Sequence, residues 1–367
     1  MESSWNLETY LANGVESIVK EILRATLKDP KESLFMAAFA HFSKTGTARR
    51  KELEAQGHHI PPFLIASISS QCNLHCKGCY ARSNGTCTED LPSGLLSSKD
   101  WQQIFKEAES LGIGFILLAG GEPFMRRDVL EKAGGISNIL FPIFTNGTLL
   151  DESFLALLKH CRNLIPIFSI EGKQEKNDLR RGDGVYQKVT DAMETMKKEH
   201  LLFGVSVTVT TQNLTEVTGD KFLQDLEFRG CKIIIFVEYV PVTEDSRLLA
   251  PGENERAYLS SRLAMLRNSD FSPVLISFPG DEKSSGGCLA AGRGFFHIDP
   301  RGDVQPCPFS PYSDRNLKGI TLLQALESQF FKNLRQHDVL KDEHAGGCVL
   351  FERRNQVEKI LQSELQK

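Results

Sequence analysis

The sequence predicts an α/β protein: a partial (β/α)6 barrel, preceded by a helical segment and followed by a small α+β module. Three observations carry this. Short apolar runs recur in series between 63 and 239, amphipathic helical patterns separate them, and the series comprises six units. Strand–helix alternation of this kind implies a parallel sheet with right-handed crossovers. Six units are two short of a closed eightfold barrel, so the sheet is expected to stay open. Ligands of such sheets gather at the carboxyl ends of the strands.

The elements follow in order. Residues 1–60 read as helical, because Leu7, Tyr10, Leu11, Val15, Ile18, Val19 and Ile22 form a stripe at helical spacing, and 31–56 reads as a second helix. The strands are expected at 63–69, 115–119, 140–145, 164–170, 203–210 and 233–239. Between the first two, Ser97 and Asp100 make a helix-capping signal, and Trp101, Ile104, Phe105, Ala108 and Leu111 share one face. A later helix carries Val185, Val189, Ala192, Met193 and Met196 on its apolar side. The barrel is assigned to 61–250, with a boundary near 250–275 where the alternation ends. The module, 275–350, is rich in glycine and proline, and 351–367 reads as a terminal helix. Within the module, a strand at 295–298 meets a turn at Asp299, Pro300, Arg301 and Gly302, then a return strand.

Composition narrows the function. The 367 residues are 41% hydrophobic and 25% charged, ordinary values for a globular chain. A net charge of −4 gives no reason to expect nucleic-acid binding, which usually shows a basic surface, so none is expected as partner. No apolar run reaches the roughly 18–20 residues that cross a bilayer, and the first residues do not read as a signal peptide. No membrane insertion and a cytoplasmic location are therefore expected. In a reducing compartment, nine cysteines point to metal or redox chemistry rather than disulfides. Cys161 and Cys231 sit beside apolar segments and read as small buried hydrophobes; Cys87 is ambiguous.

Cys72, Cys76 and Cys79 lie on one loop directly after the first strand. Three thiolates this close can hold three corners of a [4Fe–4S] cube and leave one iron for an exchangeable ligand. A zinc site would normally draw four ligands from two separated pairs, a pairing this loop lacks. The loop resembles that of the radical S-adenosylmethionine (SAM) superfamily, and the resemblance extends over about residues 60–350. It implies that the three cysteines bind the cluster, and that SAM chelates the open iron through its amine and carboxylate. Reductive cleavage of SAM to a 5′-deoxyadenosyl radical follows. Members often carry an aromatic residue just before the last cysteine. Here Gly78 stands there, and Tyr80 is the residue available to substitute.

The ends of later strands extend the resemblance. Gly120, Gly121, Glu122 and Pro123 match the family's Gly-Gly-Glu segment, which implies binding of the SAM amino group: the glycines would expose backbone carbonyls, and Glu122 would attract the ammonium. Thr145, Asn146 and Gly147 resemble a second family segment, with an ordinary Asn-Gly turn as the competing reading. Ser169 would meet the SAM ribose or carboxylate. Arg181, in a family-like Asp-x-x-Arg-Gly stretch, would fork onto a carboxylate or simply lie at the surface. Glu238 and Tyr239 end the sixth strand and are candidates for contact with substrate, although a buried tyrosine is more often packing.

Cys288, Cys307 and Cys348 flank the predicted hairpin, the last after Gly346 and Gly347. The stretch resembles the SPASM or Twitch extension of radical SAM proteins. With a single further cysteine after the hairpin, the shorter, single-cluster Twitch form fits better. It implies an auxiliary [4Fe–4S] cluster, with His297 and His344 as possible fourth ligands; three unrelated thiols is the alternative. The resemblance further implies a low-potential electron donor such as flavodoxin or ferredoxin, and a peptide, protein or small-molecule substrate, including a cofactor precursor. An iron–sulfur electron carrier or scaffold without SAM cleavage is the other function class.

Overall fold

The computed structural model describes residues 7–365 apart from 28, 91, 242, 244 and 341–347. His344, Gly346 and Gly347 therefore lie outside the described residues. Seven parallel strands form the barrel wall: β1 (Phe63–Ser69), β2 (Phe115–Gly120), β3 (Phe141–Thr145), β4 (Leu164–Ser169), β5 (Gly204–Val209), β6 (Ile233–Glu238) and β7 (Val274–Phe278). The sheet continues past β1 with β8 (Phe295–Ile298) and β9 (Val304–Gln305), in the order β7-β6-β5-β4-β3-β2-β1-β8-β9. Its two edges do not meet, as an incomplete series requires.

Two features differ from the sequence expectation. The parallel series runs one unit further, because the helix Glu253–Arg267 is followed by β7, which pairs with β6 from Ile233↔Val274 to Val237↔Phe278. The helix turns only Leu259, Leu263 and Leu266 inward, and the strand is five residues long, so both patterns are faint in the sequence. The C-terminal hairpin, in turn, is part of the barrel sheet. β8 lies parallel to β1, in register from Phe63↔Phe295 to Ala66↔Ile298, and β9 returns antiparallel. Its turn is the predicted one: the Asp299 carboxylate accepts from the Arg301 and Asp303 amides, and Gly302 takes φ 94°.

Strands covered on both faces read as unbroken apolar runs, and six of the seven residues of β1 are buried. The helix Ser98–Ser110 starts where its capping box closes, with Ser97 Oγ accepting from Asp100 N at 3.2 Å and Asp100 Oδ2 from Ser97 N at 2.7 Å. Such a cap stabilises the helix by about 1 kcal/mol. Trp101 and Phe105 from this helix are fully buried, and Phe105 meets Phe141 of β3 edge-on.

At the other end of the barrel the predicted helical segment acts as a plug. Helices α1 (Leu7–Ala25) and α2 (Pro30–Ala55) pack together. Val19, Ile22, Met36 and Phe39 cluster with Phe115, Leu140, Ile165, Ile233 and Val274, residues at or near the starts of strands. The amino ends are thus closed with apolar side chains, and the carboxyl ends are left for chemistry.

Candidate active site: the cysteine loop and the strand ends

From Ser69 the chain passes straight into the loop that carries Cys72, Cys76 and Cys79, all free and partly exposed. Backbone bonds anchor the loop on two sides. Ser69 O and Gln71 O accept from Gly121 N and Glu122 N, each at 2.8 Å, and Lys77 N donates to Arg180 O at 2.8 Å. Nitrogen donors surround two of the sulfurs. Leu74 N lies 3.4 Å and Asn146 Nδ2 3.9 Å from Cys72 Sγ, and Arg181 Nη1 lies 3.9 Å from Cys76 Sγ. Burial pushes the Cys72 thiol up to about 12. It also raises Cys76, where the Arg181 guanidinium works in the opposite direction. A bound cation is what would hold such thiols deprotonated. Three sulfurs on one short loop, two of them met by N–H donors, are a donor set that fits a [4Fe–4S] cluster.

The glycines after β2 sit where the chain leaves no room for a side chain. A Cβ on Gly120 would stand 2.4 Å from Ser69 O, and one on Gly121 2.1 Å from Gln71 O. Their bareness lets this turn press against the cysteine loop. Glu122 departs from the expectation of a carboxylate open to an ammonium. It is 1% exposed; Oε1 accepts from Phe124 N at 2.9 Å and Thr145 Oγ1 at 2.7 Å, and Oε2 from Asn146 N at 2.7 Å. With three donors on it, the carboxylate ties the ends of β2 and β3 together. Pro123 follows as the buried first residue of a 3₁₀ turn, Pro123–Arg126. Asn146 extends the tie: its Nδ2 donates to Asn73 Oδ1 at 2.8 Å, inside the cysteine loop.

Ser169 ends β4 partly buried, with its hydroxyl 3.3 Å from that of Ser206. Arg181 is not at the surface. Its guanidinium pairs with Glu171 and reaches Cys76. Glu171 is the residue that sequence reasoning passed over. It is 2% exposed, and besides Arg181 it accepts from Thr208 N at 3.0 Å. The signal was present: Glu171 stands two places after Ser169, in the stretch read for its serine alone.

Successive residues at the end of β6 serve different neighbours. Tyr239 points at the cysteine loop. Its phenol oxygen is buried without a hydrogen-bond partner, and a Cβ on Gly78 would stand 2.6 Å from it. The Arg180 guanidinium lies 5.6 Å over its ring. The space that a side chain at position 78 would need is therefore filled from β6. Tyr80 does not fill it; that ring turns away and packs edge-on against Phe309, 4.9 Å between centroids. Glu238 faces a second cavity, and its Oε2 accepts from Arg256 Nε at 2.9 Å.

That cavity is lined by Cys288, Cys307 and Cys348 together with Glu238, Glu282 and Phe309. Three cysteines distant in sequence are thus brought together. Burial pushes Cys288 and Cys307 well above the ordinary thiol range, and neighbouring Cys348 adds to the rise at Cys307. Among the described residues, no three side chains converge tightly enough for a single metal ion. A cubane asks for a different arrangement, because each thiolate binds its own iron around a central volume. His297 is excluded as a ligand by its hydrogen bonds. Nδ1 donates to Gln305 Oε1 at 2.9 Å and Nε2 accepts from the Ser67 hydroxyl at 2.8 Å, so neither nitrogen is available. Burial lowers its pKa to about 4 and keeps the ring neutral.

Residues 66–228 match the model of the radical SAM superfamily. Over 318 residues the chain is 26% identical to the AdoMet-dependent heme synthase of Methanosarcina barkeri, covering 79% of this chain and 88% of that protein. It is 25% identical over 320 residues to the mycofactocin maturase MftC of Mycolicibacterium smegmatis, covering 80% and 76%. In structure it resembles SuiB of Streptococcus suis bound to S-adenosylmethionine (TM-score 0.65, 17% identity, 80% of this chain and 71% of that one). It also resembles SuiB bound to its precursor peptide SuiA (TM-score 0.63, 17% identity, 85% and 73%). The chain thus carries a radical SAM domain at residues 66–228, on the open sheet described above. It is accordingly an enzyme of the class that uses a [4Fe–4S] cluster and SAM.

Proposed function

We propose that Cys72, Cys76 and Cys79 hold the SAM-cleaving cluster, and that the radical acts on a peptide substrate seated between the barrel mouth and the 275–350 module. The observation that carries this is the convergence of the cysteine loop, the β2 turn and the β3 end through Glu122 and Asn146. When bound, the cluster supplies the electron that splits SAM into methionine and a 5′-deoxyadenosyl radical, which takes a hydrogen atom from the substrate. The protein's part is to orient and to exclude water. In this reading Asn146, Ser169 and the backbone of Gly120 and Gly121 border the SAM site. Glu122 and Arg181 act by holding the loop, and Pro123 by starting the turn that Glu122 caps. Tyr239 packs where an aromatic loop residue would, and Glu238 belongs to the module's cavity. Cys288, Cys307 and Cys348 hold an auxiliary [4Fe–4S] cluster. A flavodoxin- or ferredoxin-type donor delivers the electron, and the enzyme works in the cytoplasm.

The peptide reading draws on the maturase relative and on SuiB with its precursor peptide. A cofactor precursor is the second reading, favoured by the heme synthase relative, of which the chain covers 88%. The test is anaerobic reconstitution, reduction and measurement of 5′-deoxyadenosine. Release by the parent chain, and none from the C72A/C76A/C79A variant, is the expected result. An iron-loaded parent that releases none would instead be an electron carrier or scaffold. Deuterium transfer into 5′-deoxyadenosine from a labelled peptide, and not from a labelled porphyrin, separates the two substrate readings.

A further inference from the structure

We propose that Glu282 is the fourth protein ligand of the auxiliary cluster, alongside Cys288, Cys307 and Cys348. This rests on the reading of those three cysteines as cluster ligands.

The argument starts from an oxygen without a partner. Glu282 sits in the 3₁₀ turn Gly280–Ser285 after β7 and is 8% exposed. Its Oε2 accepts from Leu289 N at 3.3 Å, but its buried Oε1 has no hydrogen-bond partner. Burying a carboxylate oxygen unsatisfied is costly, and native proteins seldom tolerate it without a reason. The obvious cation does not supply one. Arg293 lies close but spends its guanidinium on three carbonyls, those of Cys288, Ser285 and Gly286. The other carboxylate on the cavity, Glu238, is held by Arg256. Of the two carboxylates on the cavity, Glu282 is the one that keeps a buried oxygen without a hydrogen-bond partner.

Its position supplies the reason. Glu282 lines the same cavity as all three cysteines. Three thiolates leave one iron of a cubane without a protein donor, and carboxylate oxygen is an accepted ligand for iron. The histidine in the same hairpin is unavailable, because Ser67 and Gln305 occupy both of its nitrogens. The backbone also fixes Glu282 in place: its amide donates to Pro279 O at 2.8 Å, and Ser285 Oγ donates to its carbonyl. A site with four protein ligands would pass electrons rather than bind substrate at an open iron.

The test uses the full-length chain carrying C72A/C76A/C79A, so that only the auxiliary cluster contributes, reconstituted anaerobically. This parent is expected to hold about four irons, as one cubane requires. Adding E282A should alter the EPR signal of the reduced cluster. It should also let one iron escape on mild oxidation, lowering the count to about three per chain. E282Q keeps the shape of the side chain and should behave like E282A even if the alanine variant folds poorly. E282C should restore four irons with a distinct signal. Unchanged EPR and Mössbauer spectra and iron content in E282Q, beside a loaded parent, would overturn the assignment of Glu282 alone. A parent that binds no iron would instead overturn the auxiliary-cluster reading beneath it.

Discussion

At the scale of single residues, the site is governed by which side chains are absent as much as by those present. Gly78 and Tyr239 compete for one volume, since a Cβ at 78 would stand 2.6 Å from the phenol oxygen and 3.0 Å from the ring. The backbone at 78, with φ +69°, adds roughly 1–2 kcal/mol of strain for any other residue. G78F should therefore lower the rate of 5′-deoxyadenosine release by tenfold or more. G78F/Y239A should recover more than the two single effects combined would allow. Additive effects in that double-mutant cycle would show that the two positions do not share the space. His297 makes a different residue-scale prediction. Its folded pKa, about 4, lies below the unfolded 6.5, so folding favours the neutral ring. The stabilisation is complete above pH 6.5 and is lost as pH falls toward 4, amounting to roughly 3 kcal/mol. Urea midpoints at pH 7 and 4.5 should differ less in H297Q, which cannot titrate; equal differences would refute the assignment.

At the scale of elements, the predictive signals were strongest where a strand or helix is buried on a regular pattern. The first six strands stand within a residue of their expected limits, because double-sided burial writes a continuous apolar run. β7 was faint because five residues after a weakly patterned helix carry little periodicity. The hairpin was legible from its turn, but its docking on β1 was not, since no local pattern records which distant strand a β-edge meets. The same limit applies to the site. Residue types at strand ends were readable, whereas the inward orientation of Glu122 and the Arg181–Glu171 pair depend on neighbours 23 and 10 positions away. The element-scale prediction follows from the docking of the β2 turn. G121A places a carbon 2.1 Å from Gln71 O, a backbone atom that cannot swing aside. The turn and the cysteine loop must then part. Overpacking of this kind typically costs 1–3 kcal/mol, so the melting temperature should fall and iron retention by the first site should drop. Normal iron content and SAM cleavage in G121A would mean that the close approach is not needed.

For the molecule as a whole, the architecture divides labour along one sheet. Its amino ends are sealed by α1 and α2, its carboxyl ends carry the cysteine loop, and its β1 edge is extended by β8 and β9. The two cysteine sets are therefore parts of one framework rather than of two loosely tethered units. Yet the module's cysteines flank the added strands, and the pairing of β8 with β1 is made by backbone groups that a side-chain change leaves intact. Removing the three later thiols should thus spare the barrel. In C288A/C307A/C348A, iron should fall from about eight to about four per chain, as expected when one of two cubanes is lost. SAM cleavage should persist, because Glu122, Asn146 and Arg181, which brace the first loop, do not contact the altered residues. Conversion of the proposed peptide substrate should stop, because the volume beside Glu238 and Phe309 would no longer hold the proposed auxiliary cluster. Iron analysis, 5′-deoxyadenosine release and product mass spectrometry on one preparation read all three expectations. If iron content did not change, the module would hold no cluster. If conversion continued after iron was lost, the cluster would serve structure alone.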